Sequence, residues 1–136
     1  MALRILAAAA LLLACGLASG QAFAQPRKHF SGVAAYYSKG YSGKVATGAR
    51  YDPRKFTAAH RTLPFGTHVR VTDRRTHRSV VVTINDRGPF TRGRVIDLSM
   101  AAAKALHMIG RGIIKVSADV EPRAEYTAAA ADTANR

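Results

Sequence analysis

The sequence predicts a small, mainly β domain that forms either a barrel or a sandwich. Three observations lead to this prediction: short runs of β-branched and aromatic residues, glycine- and proline-containing turns between them, and one alanine-rich stretch that suits a short helix. A chain of 136 residues is long enough for one compact domain and too short for two of ordinary size.

The N-terminal half of the domain is predicted to contain a strand, a long loop and two short turns. Residues 32–37 read GVAAYY and are typical of a strand, whereas the following SKGYSGKVATGARYDP contains three glycines and is typical of a loop. A short helical turn is predicted at residues 57–60. A β-turn is predicted at residues 63–66, with Pro64 in its second position.

A hairpin is predicted next. Residues 68–72 alternate polar and apolar side chains, and a polar turn at 73–77 separates them from the nearly all-apolar run SVVVTI at 79–84. A run with so few polar side chains is typical of a strand that is buried on both faces. We therefore expect residues 79–84 to lie inside the domain.

The last elements are two strands that enclose a helix. A short strand is predicted at residues 94–98, followed by Ser99 as the N-cap of an alanine-rich helix over 100–108. Gly110 is expected to end this helix, and residues 112–120 read as the closing strand.

The N-terminus has the features of a removable export signal. A mostly apolar stretch follows Arg4, is too short to cross a bilayer and ends at Ala22-Phe23-Ala24, a small-x-small pattern typical of signal-peptidase sites. We predict that residues 1–24 are removed and that the protein is exported to the periplasm or cell envelope. The alternative is a lipobox at residues 12–15, in which Cys15 would be lipidated and would anchor the protein.

The folded domain is expected over residues 31–120. Residues 25–30 are mostly polar and basic and are predicted to be a flexible lead-in, and the alanine-rich residues 121–136 are predicted to be a disordered tail. Cys15 is the only cysteine, so an exported domain would have no internal disulfide and its stability must come from packing. We expect a monomer.

The formal net charge of +13 favours an anionic partner. Nucleic acid is not expected, because the chain is predicted to be exported and has neither a recognition-helix pattern nor an aromatic-rich platform for single strands. An acidic cell-wall polymer or an anionic membrane surface fits better. A role of the charge in solubility alone stays open.

Asp86 is the strongest candidate for a catalytic acid. It follows the buried-looking strand SVVVTI directly and lies in the predicted loop NDRGPF. A catalytic role and a turn-stabilising hydrogen bond are both consistent with this position. Of the other aspartates, Asp73 is expected to be a solvated turn residue, Asp97 a structural hydrogen-bonding residue and Asp119 a surface residue.

His60 would support Asp86 if the fold brings the two side chains together, because an imidazole can bind substrate or tune a neighbouring acid. The histidines show no spacing typical of a zinc site, and the mature chain would have no cysteine ligand. We therefore expect no metal and no cofactor.

Five stretches together resemble the rare lipoprotein A (RlpA) family of endolytic peptidoglycan transglycosylases. They read GVAAYYS, ATGARYD, FTAAHRTLPFGTHVRVT, SVVVTINDRGPF and GRVIDLSMAAAKAL, and they cover most of residues 31–120 in the family's order. The resemblance implies a mainly β fold, a small six-stranded double-psi β-barrel with one or two short helices.

The resemblance also implies an activity and a site. The family cleaves the MurNAc-GlcNAc bond of peptidoglycan glycan strands and leaves 1,6-anhydromuramyl ends, with peptidoglycan as the partner and no cofactor. By resemblance, the catalytic cluster is Asp86, His60 and Asp52, and the glycan groove includes Tyr36, Tyr37, Asn85 and Arg87.

One position departs from the family's pattern. The family usually has a glutamate where this chain has Ala49, within ATGARYD. If that glutamate is indispensable, the chain would be a non-catalytic, expansin-like barrel that binds peptidoglycan. If it only orients the substrate, Asp86 and His60 could suffice.

Overall fold

A computed structural model describes residues 26–123 of the chain. These residues form six strands and one short helix: β1 (His29–Tyr36), β2 (Thr57–Ala59), β3 (His68–Asp73), β4 (Ser79–Asp86), β5 (Arg94–Leu98), α1 (Met100–Ala105) and β6 (Ile114–Val120). The predicted signal at 1–24, including Cys15, lies outside the described residues, as does the tail from residue 124 onwards.

The six strands close into a barrel in the order β1-β5-β2-β4-β3-β6. Strands β1 and β5 pair in parallel, as do β2 and β4, and the remaining neighbours are antiparallel. The predicted six-stranded barrel is therefore confirmed and the sandwich is excluded. A closed sheet leaves no unpaired edge through which chains could associate.

The predicted helical turn at residues 57–60 is wrong, because Thr57–Ala59 form strand β2. Residue 58 pairs with β5 on one side and with β4 on the other. The backbone hydrogen bonds available on both edges outweigh the weak helical preference of two alanines.

The predicted β-turn lies one residue further along the chain. The Thr67 N–H donates to the Pro64 carbonyl at 3.2 Å, so Pro64 occupies the first position of the turn and not the second. Gly66 then stands third, with φ +86°, which is the position where a type II turn requires a positive φ.

Helix α1 begins as predicted and ends early. The Ser99 side chain accepts a hydrogen bond from the Ala102 N–H at 3.2 Å, which confirms the N-cap. The helix ends at Ala105 instead of residue 108, because the chain turns at His107, with φ 53°, and buries Met108 completely.

Both ends of the barrel domain extend beyond the predicted limits. Strand β1 begins at His29, which pairs with Asp119 of β6 and lies in the segment predicted to be a flexible lead-in. Glu121, in the segment predicted to be a tail, is buried at 8% exposure, and its carboxylate accepts a hydrogen bond from Arg70 at 2.5 Å.

The barrel interior is filled by aliphatic side chains from all six strands and from the helix. In the SVVVTI run, Val82 and Ile84 are fully buried as predicted, but Ser79 is exposed and the other residues are only partly buried, so the strand is buried on one face and not on both. The largest apolar side chains without exposure are Val69, Val71, Val82, Ile84, Ile96, Leu98, Leu106, Met108 and Val116. Burial of this surface is the main stabilising contribution in a domain without a disulfide.

Asp73 is not the solvated turn residue that the sequence predicts. It is fully buried, and its carboxylate accepts hydrogen bonds from the Arg111 guanidinium at 2.5 Å and from the Arg75 N–H at 2.8 Å. Burial would raise the pKa of Asp73, but these donors lower it to about 2. Arg111 lies 38 residues away in the chain, so no local pattern could reveal this pair.

Candidate functional site

The parallel pairing of β2 and β4 places His60 beside Asp86. Ala59 is the register partner of Asp86, and the backbone N–H of His60 donates to the Asp86 carbonyl at 3.2 Å. Asn85 and Asp86 are the last two residues of β4, so the loop that the sequence places at residue 85 begins at Arg87. Because β2 and β4 are parallel neighbours that finish side by side, the residues that follow them lie at the same end of the barrel.

The Asp86 carboxylate is held by three hydrogen-bond donors. Its Oδ2 accepts from the Tyr37 hydroxyl at 2.5 Å, and its Oδ1 accepts from the backbone N–H groups of Ala46 at 2.7 Å and Arg87 at 2.9 Å. The side chain is partly exposed. Such a carboxylate has one fixed orientation and can still reach a solvent-borne ligand.

Tyr37 is a hydrogen-bond donor at every physiological pH. Burial, and after it the hydrogen bond and charge of Asp86, raise the pKa of the phenol far above its usual range. The ring lies 4.7 Å from that of Tyr51 and 5.3 Å from that of Tyr41, centroid to centroid. The three rings form an aromatic cluster beside Asp86.

The loop between β1 and β2 supplies one of the amides that bind Asp86. A bridge between Lys44 and Arg50 closes a short hairpin, within which the Val45 N–H donates to the Ala49 carbonyl at 2.9 Å. Ala46 therefore faces Asp86, and Ala49 lies three residues further along the same hairpin with its side chain exposed.

His60 is a neutral imidazole with its proton on Nε2. The Nδ1 atom accepts from the N–H groups of Thr62 at 3.1 Å and Leu63 at 3.0 Å, which leaves only Nε2 to carry the proton. Partial burial, and after it the nearby charges of lysine and arginine side chains, lower the pKa of His60. Nε2–H has no hydrogen-bond partner among residues 26–123 and is free to donate to a ligand.

Arg87 supports the loops around the site. Its NH1 donates to the carbonyls of His60 at 3.2 Å and Leu63 at 2.9 Å, and the guanidinium lies over the Phe65 ring at 3.9 Å from its centroid. These bonds hold the segment after β2 against the segment after β4. Asn85 is also partly buried, and its buried Oδ1 has no hydrogen-bond partner within residues 26–123.

Arg61 is a site-shaping residue that sequence reasoning missed. Its Nε donates to the Pro89 carbonyl at 2.6 Å, and its NH2 donates to the Arg94 carbonyl at 2.5 Å. The guanidinium thereby holds the loop at 87–93 in place. In the sequence, Arg61 is marked only by its place directly after His60. That place does not reveal the contact with the loop, which lies about 30 residues further along the chain.

Two predicted site residues make their contacts elsewhere. The Tyr36 hydroxyl donates to the Ile109 carbonyl at 2.8 Å, and its ring lines a separate cavity of about 530 Å³. The Asp52 carboxylate accepts three hydrogen bonds from Arg54, at 3.0 to 3.3 Å, and these lower its pKa. Asp52 makes no hydrogen bond to Asp86 or His60.

Exposed aromatic side chains surround the same end of the barrel. Phe65 follows His60 in the chain and is 43% exposed, and Phe90 follows Pro89 and is 82% exposed. Together with Tyr41, these rings offer apolar faces of the kind that stack on sugars. Both phenylalanines lie within the motifs that resemble the RlpA family, but no local pattern marks them as site residues.

Within residues 26–123 there is no cluster of three or more histidine, cysteine, aspartate or glutamate side chains that could hold a metal ion. The same part of the chain contains no helix that is both long enough and apolar enough to cross a membrane.

Sequence comparison identifies relatives over the barrel. Residues 29–118 match the family model described as "Lytic transglycolase". A probable endolytic peptidoglycan transglycosylase RlpA of a Nostoc species is 59% identical over 97 residues, which are 69% of this chain and 26% of the relative. The endolytic peptidoglycan transglycosylase RlpA of Pasteurella multocida is 51% identical over 83 residues, which are 60% of this chain and 28% of the relative.

Structural comparison supports the barrel fold. The Streptomyces papain inhibitor matches with a TM-score of 0.57 and 24% identity, over 70% of this chain and 96% of the inhibitor. An expansin of Clavibacter michiganensis matches with a TM-score of 0.56 and 23% identity, over 71% of this chain and 52% of the expansin.

The matched segment amounts to about a quarter of the length of these two RlpA relatives. The family model covers most of the chain and spans β1 through β6 up to residue 118. It includes Asp86, Tyr37, whose hydroxyl donates to the Asp86 carboxylate, and His60, whose backbone N–H donates to the Asp86 carbonyl. The chain therefore belongs to the lytic transglycolase family.

Proposed function

We propose that the protein is an endolytic peptidoglycan lytic transglycosylase with Asp86 as its acid and base. The observation that supports this most directly is the Asp86 carboxylate, held by three donors next to His60 at the open end of the barrel. The RlpA relatives are named for this activity. The exposed aromatic rings nearby suit a glycan strand.

In the proposed reaction, protonated Asp86 gives its proton to the oxygen that links MurNAc C1 to the next GlcNAc. The C1–O bond breaks, the C6 hydroxyl of the same MurNAc forms a new bond to C1, and its proton passes to the Asp86 carboxylate. The acid is thereby regenerated, and no water is consumed. One carboxyl group serves both steps, so the two-carboxylate arrangement of hydrolytic glycosidases is not required.

The neighbouring residues have positioning and binding roles in this proposal. Tyr37 and the two backbone amides hold the carboxyl group towards the glycosidic oxygen, and His60 Nε2–H donates to a sugar oxygen. Tyr41 and Phe90 contact sugar faces, and Asn85, which is partly exposed, lies next to Asp86 at the end of β4. Asp52 and Tyr36 make their contacts outside this cluster, so each would contact only a glycan strand that extends beyond it.

Ala49 favours a second candidate function, a barrel that binds peptidoglycan without cutting it. The residue lies in the same hairpin that donates to Asp86, at the position where the family usually has a glutamate. A second carboxylate in that hairpin would be close to the site. Cleavage that appears only in an Ala49→Glu variant would identify the natural protein as a binding module.

The test is to incubate the purified protein with peptidoglycan sacculi and with glycan strands stripped of stem peptides. Mass spectrometry should detect 1,6-anhydromuramyl ends with the natural protein and none with Asp86→Asn. Asp119→Asn, which removes a carboxylate from the barrel surface, is the matched control and should remain active. Sacculus binding without anhydro products would contradict the enzymatic proposal and support the binding module.

We also propose that the protein is exported, because its proposed substrate lies outside the cytoplasmic membrane. Removal of residues 1–24 would leave a soluble periplasmic form, whereas lipidation of Cys15 would leave an anchored form. Mass spectrometry of the mature N-terminus, with and without globomycin, distinguishes the two. Light scattering of the purified protein tests the expected monomer.

A further inference from the structure

A second charged surface lies at the end of the barrel opposite the candidate site. We call it the basic end and define it as residues 73–78 and 111–115. Strand β4 connects the two ends, since it begins at Ser79 beside the basic end and finishes at Asp86. At about 3.3 Å per residue, its eight residues separate the two ends by roughly 23 Å.

The basic end is a preformed surface. The Arg74 N–H donates to the Lys115 carbonyl at 3.0 Å, which joins the β3–β4 turn to the start of β6. Beneath this surface, the buried Asp73 carboxylate accepts hydrogen bonds from the Arg111 guanidinium and from the Arg75 N–H. The two segments border an open depression of about 430 Å³ whose lining includes Arg74, Arg75, Arg111 and Lys115.

The positive charge of the basic end is mostly unneutralised. Five arginine and lysine side chains occur in its two segments, against the single carboxylate of Asp73, which pairs with Arg111. Arg74, Arg75 and Lys115 are exposed and form no ion pair with a carboxylate among the described residues. Like charges on one surface repel one another, and an anionic partner would offset this repulsion.

One apolar side chain stands out from this cationic surface. Ile113 is 61% exposed, between Arg111 and Lys115, in the turn that precedes β6. The Ile113 N–H donates to the Arg111 carbonyl at 2.9 Å, so the turn is fixed. A soluble polyanion would gain little from an exposed isoleucine, whereas a lipid bilayer accepts apolar side chains and its phosphates accept the surrounding cations.

We propose that the basic end docks the barrel on an anionic phospholipid bilayer. The arginine and lysine side chains contact lipid phosphates, and Ile113 enters the boundary between headgroups and acyl chains. Asp86, at the far end, then faces away from the bilayer. This contact needs no lipid on Cys15, it assigns the membrane attraction expected from the net charge to one end of the barrel, and it does not depend on the proposed catalytic function.

The experiment uses protein purified from cells that express the chain with Cys15→Ser, so that no lipid anchor contributes, and vesicles with or without phosphatidylglycerol in phosphatidylcholine. We expect sedimentation with the anionic vesicles only, weakening as salt is raised. Arg74→Gln/Arg75→Gln/Lys115→Gln should weaken binding by roughly two orders of magnitude, since each cation near the surface contributes about fivefold. Lys39→Gln/Lys55→Gln/Arg92→Gln removes the same charge from exposed sites elsewhere and should weaken it far less.

A separate fluorescence measurement tests whether the Ile113 side chain inserts into the bilayer. The chain contains no tryptophan, so Ile113→Trp introduces a single fluorescent reporter. Its emission should shift to shorter wavelength when anionic vesicles are added, and Ile113→Ser should bind several-fold more weakly. Equal losses in the two triple variants, an unshifted emission from vesicle-bound protein, or binding to soluble polyphosphate as tight as to vesicles would each overturn the proposal. The last result would instead indicate a wall polyanion as the partner.

Discussion

The buried pair of Asp73 and Arg111 should make a large contribution to the stability of the barrel. Asp73 has no exposed surface, whereas the Arg111 side chain is 25% exposed. The pKa of Asp73 is lowered from its ordinary value of 3.8 to about 2. Because one pKa unit corresponds to somewhat more than 1 kcal/mol, the ionised carboxylate stabilises the folded state by roughly 2 to 3 kcal/mol at neutral pH.

Asp73→Asn removes this charge and keeps the size of the side chain. We expect the free energy of unfolding at pH 7 to fall by about 2 to 4 kcal/mol, since Arg111 loses its anionic partner while remaining partly solvated. For a domain of this size such a loss lowers Tm by roughly 10 to 20 °C. Asp119→Asn is the matched control, and it should cost less than about 1 kcal/mol because its carboxylate is exposed and pairs with His29 at the surface.

The effect should also depend on pH. An aspartate whose pKa is lowered by folding stabilises the protein fully above the unfolded-state pKa and loses this contribution as the pH falls through the folded-state pKa. The difference between the natural protein and Asp73→Asn should therefore shrink below about pH 4, with about half of the ionic contribution lost near pH 3. Urea unfolding of both proteins at pH 7, 4 and 3 measures this difference in the free energy of unfolding. A difference below about 0.5 kcal/mol at pH 7, or one that is the same at pH 3, would refute the reasoning.

Four further predictions concern the site and the core. Tyr37→Phe should slow release of anhydromuramyl products by about tenfold to a hundredfold, since it removes a hydrogen bond to a charged group, and unchanged rates would remove the residue from the mechanism. Because burial and the nearby cationic side chains lower the pKa of His60, its Cε1 proton should titrate in NMR spectra at a lower pH than that of a free histidine, and a midpoint at or above the free value would contradict this. Ile84→Ala should cost about 2 to 5 kcal/mol in chemical denaturation, as expected for a fully buried side chain. Gly32→Ala would place a Cβ 2.5 Å from Val95 Cγ1 and should cost about 1 to 3 kcal/mol, with partial recovery when Val95→Ala is added.

The sequence predicts those elements whose signals lie within a few residues of one another in the chain. The alternating pattern of β3, the apolar run of β4 and the cap at Ser99 are local signals, and the structure has each of them. Strand β2 could not be predicted in this way. Its three residues are held by hydrogen bonds to β4 and β5, which lie 25 to 40 residues further along the chain.

In the candidate site too, the sequence indicates some of the residues, whereas the contacts between them depend on the fold. Asp86 was identified from its place at the end of a buried strand, and His60 from the resemblance of its motif. The sequence could not reveal that Tyr37 donates to Asp86, that the loop around Ala46 supplies an amide, or that Asp52 bonds to Arg54 instead of joining the cluster. Each of these contacts depends on where the β1–β2 loop folds back.

Four features follow from the sequence alone: the apolar run that forms β4, the helix with its cap, the excess of positive charge and the acidic residue close after that run. Only the tertiary structure decided which charges meet. Asp73 and Asp86 both follow or end strands in the sequence, yet closing the barrel buries Asp73 against Arg111 and leaves Asp86 partly open beside His60. The physical reason is that burial and hydrogen bonding, which set the behaviour of a carboxylate, come from residues distant in the chain.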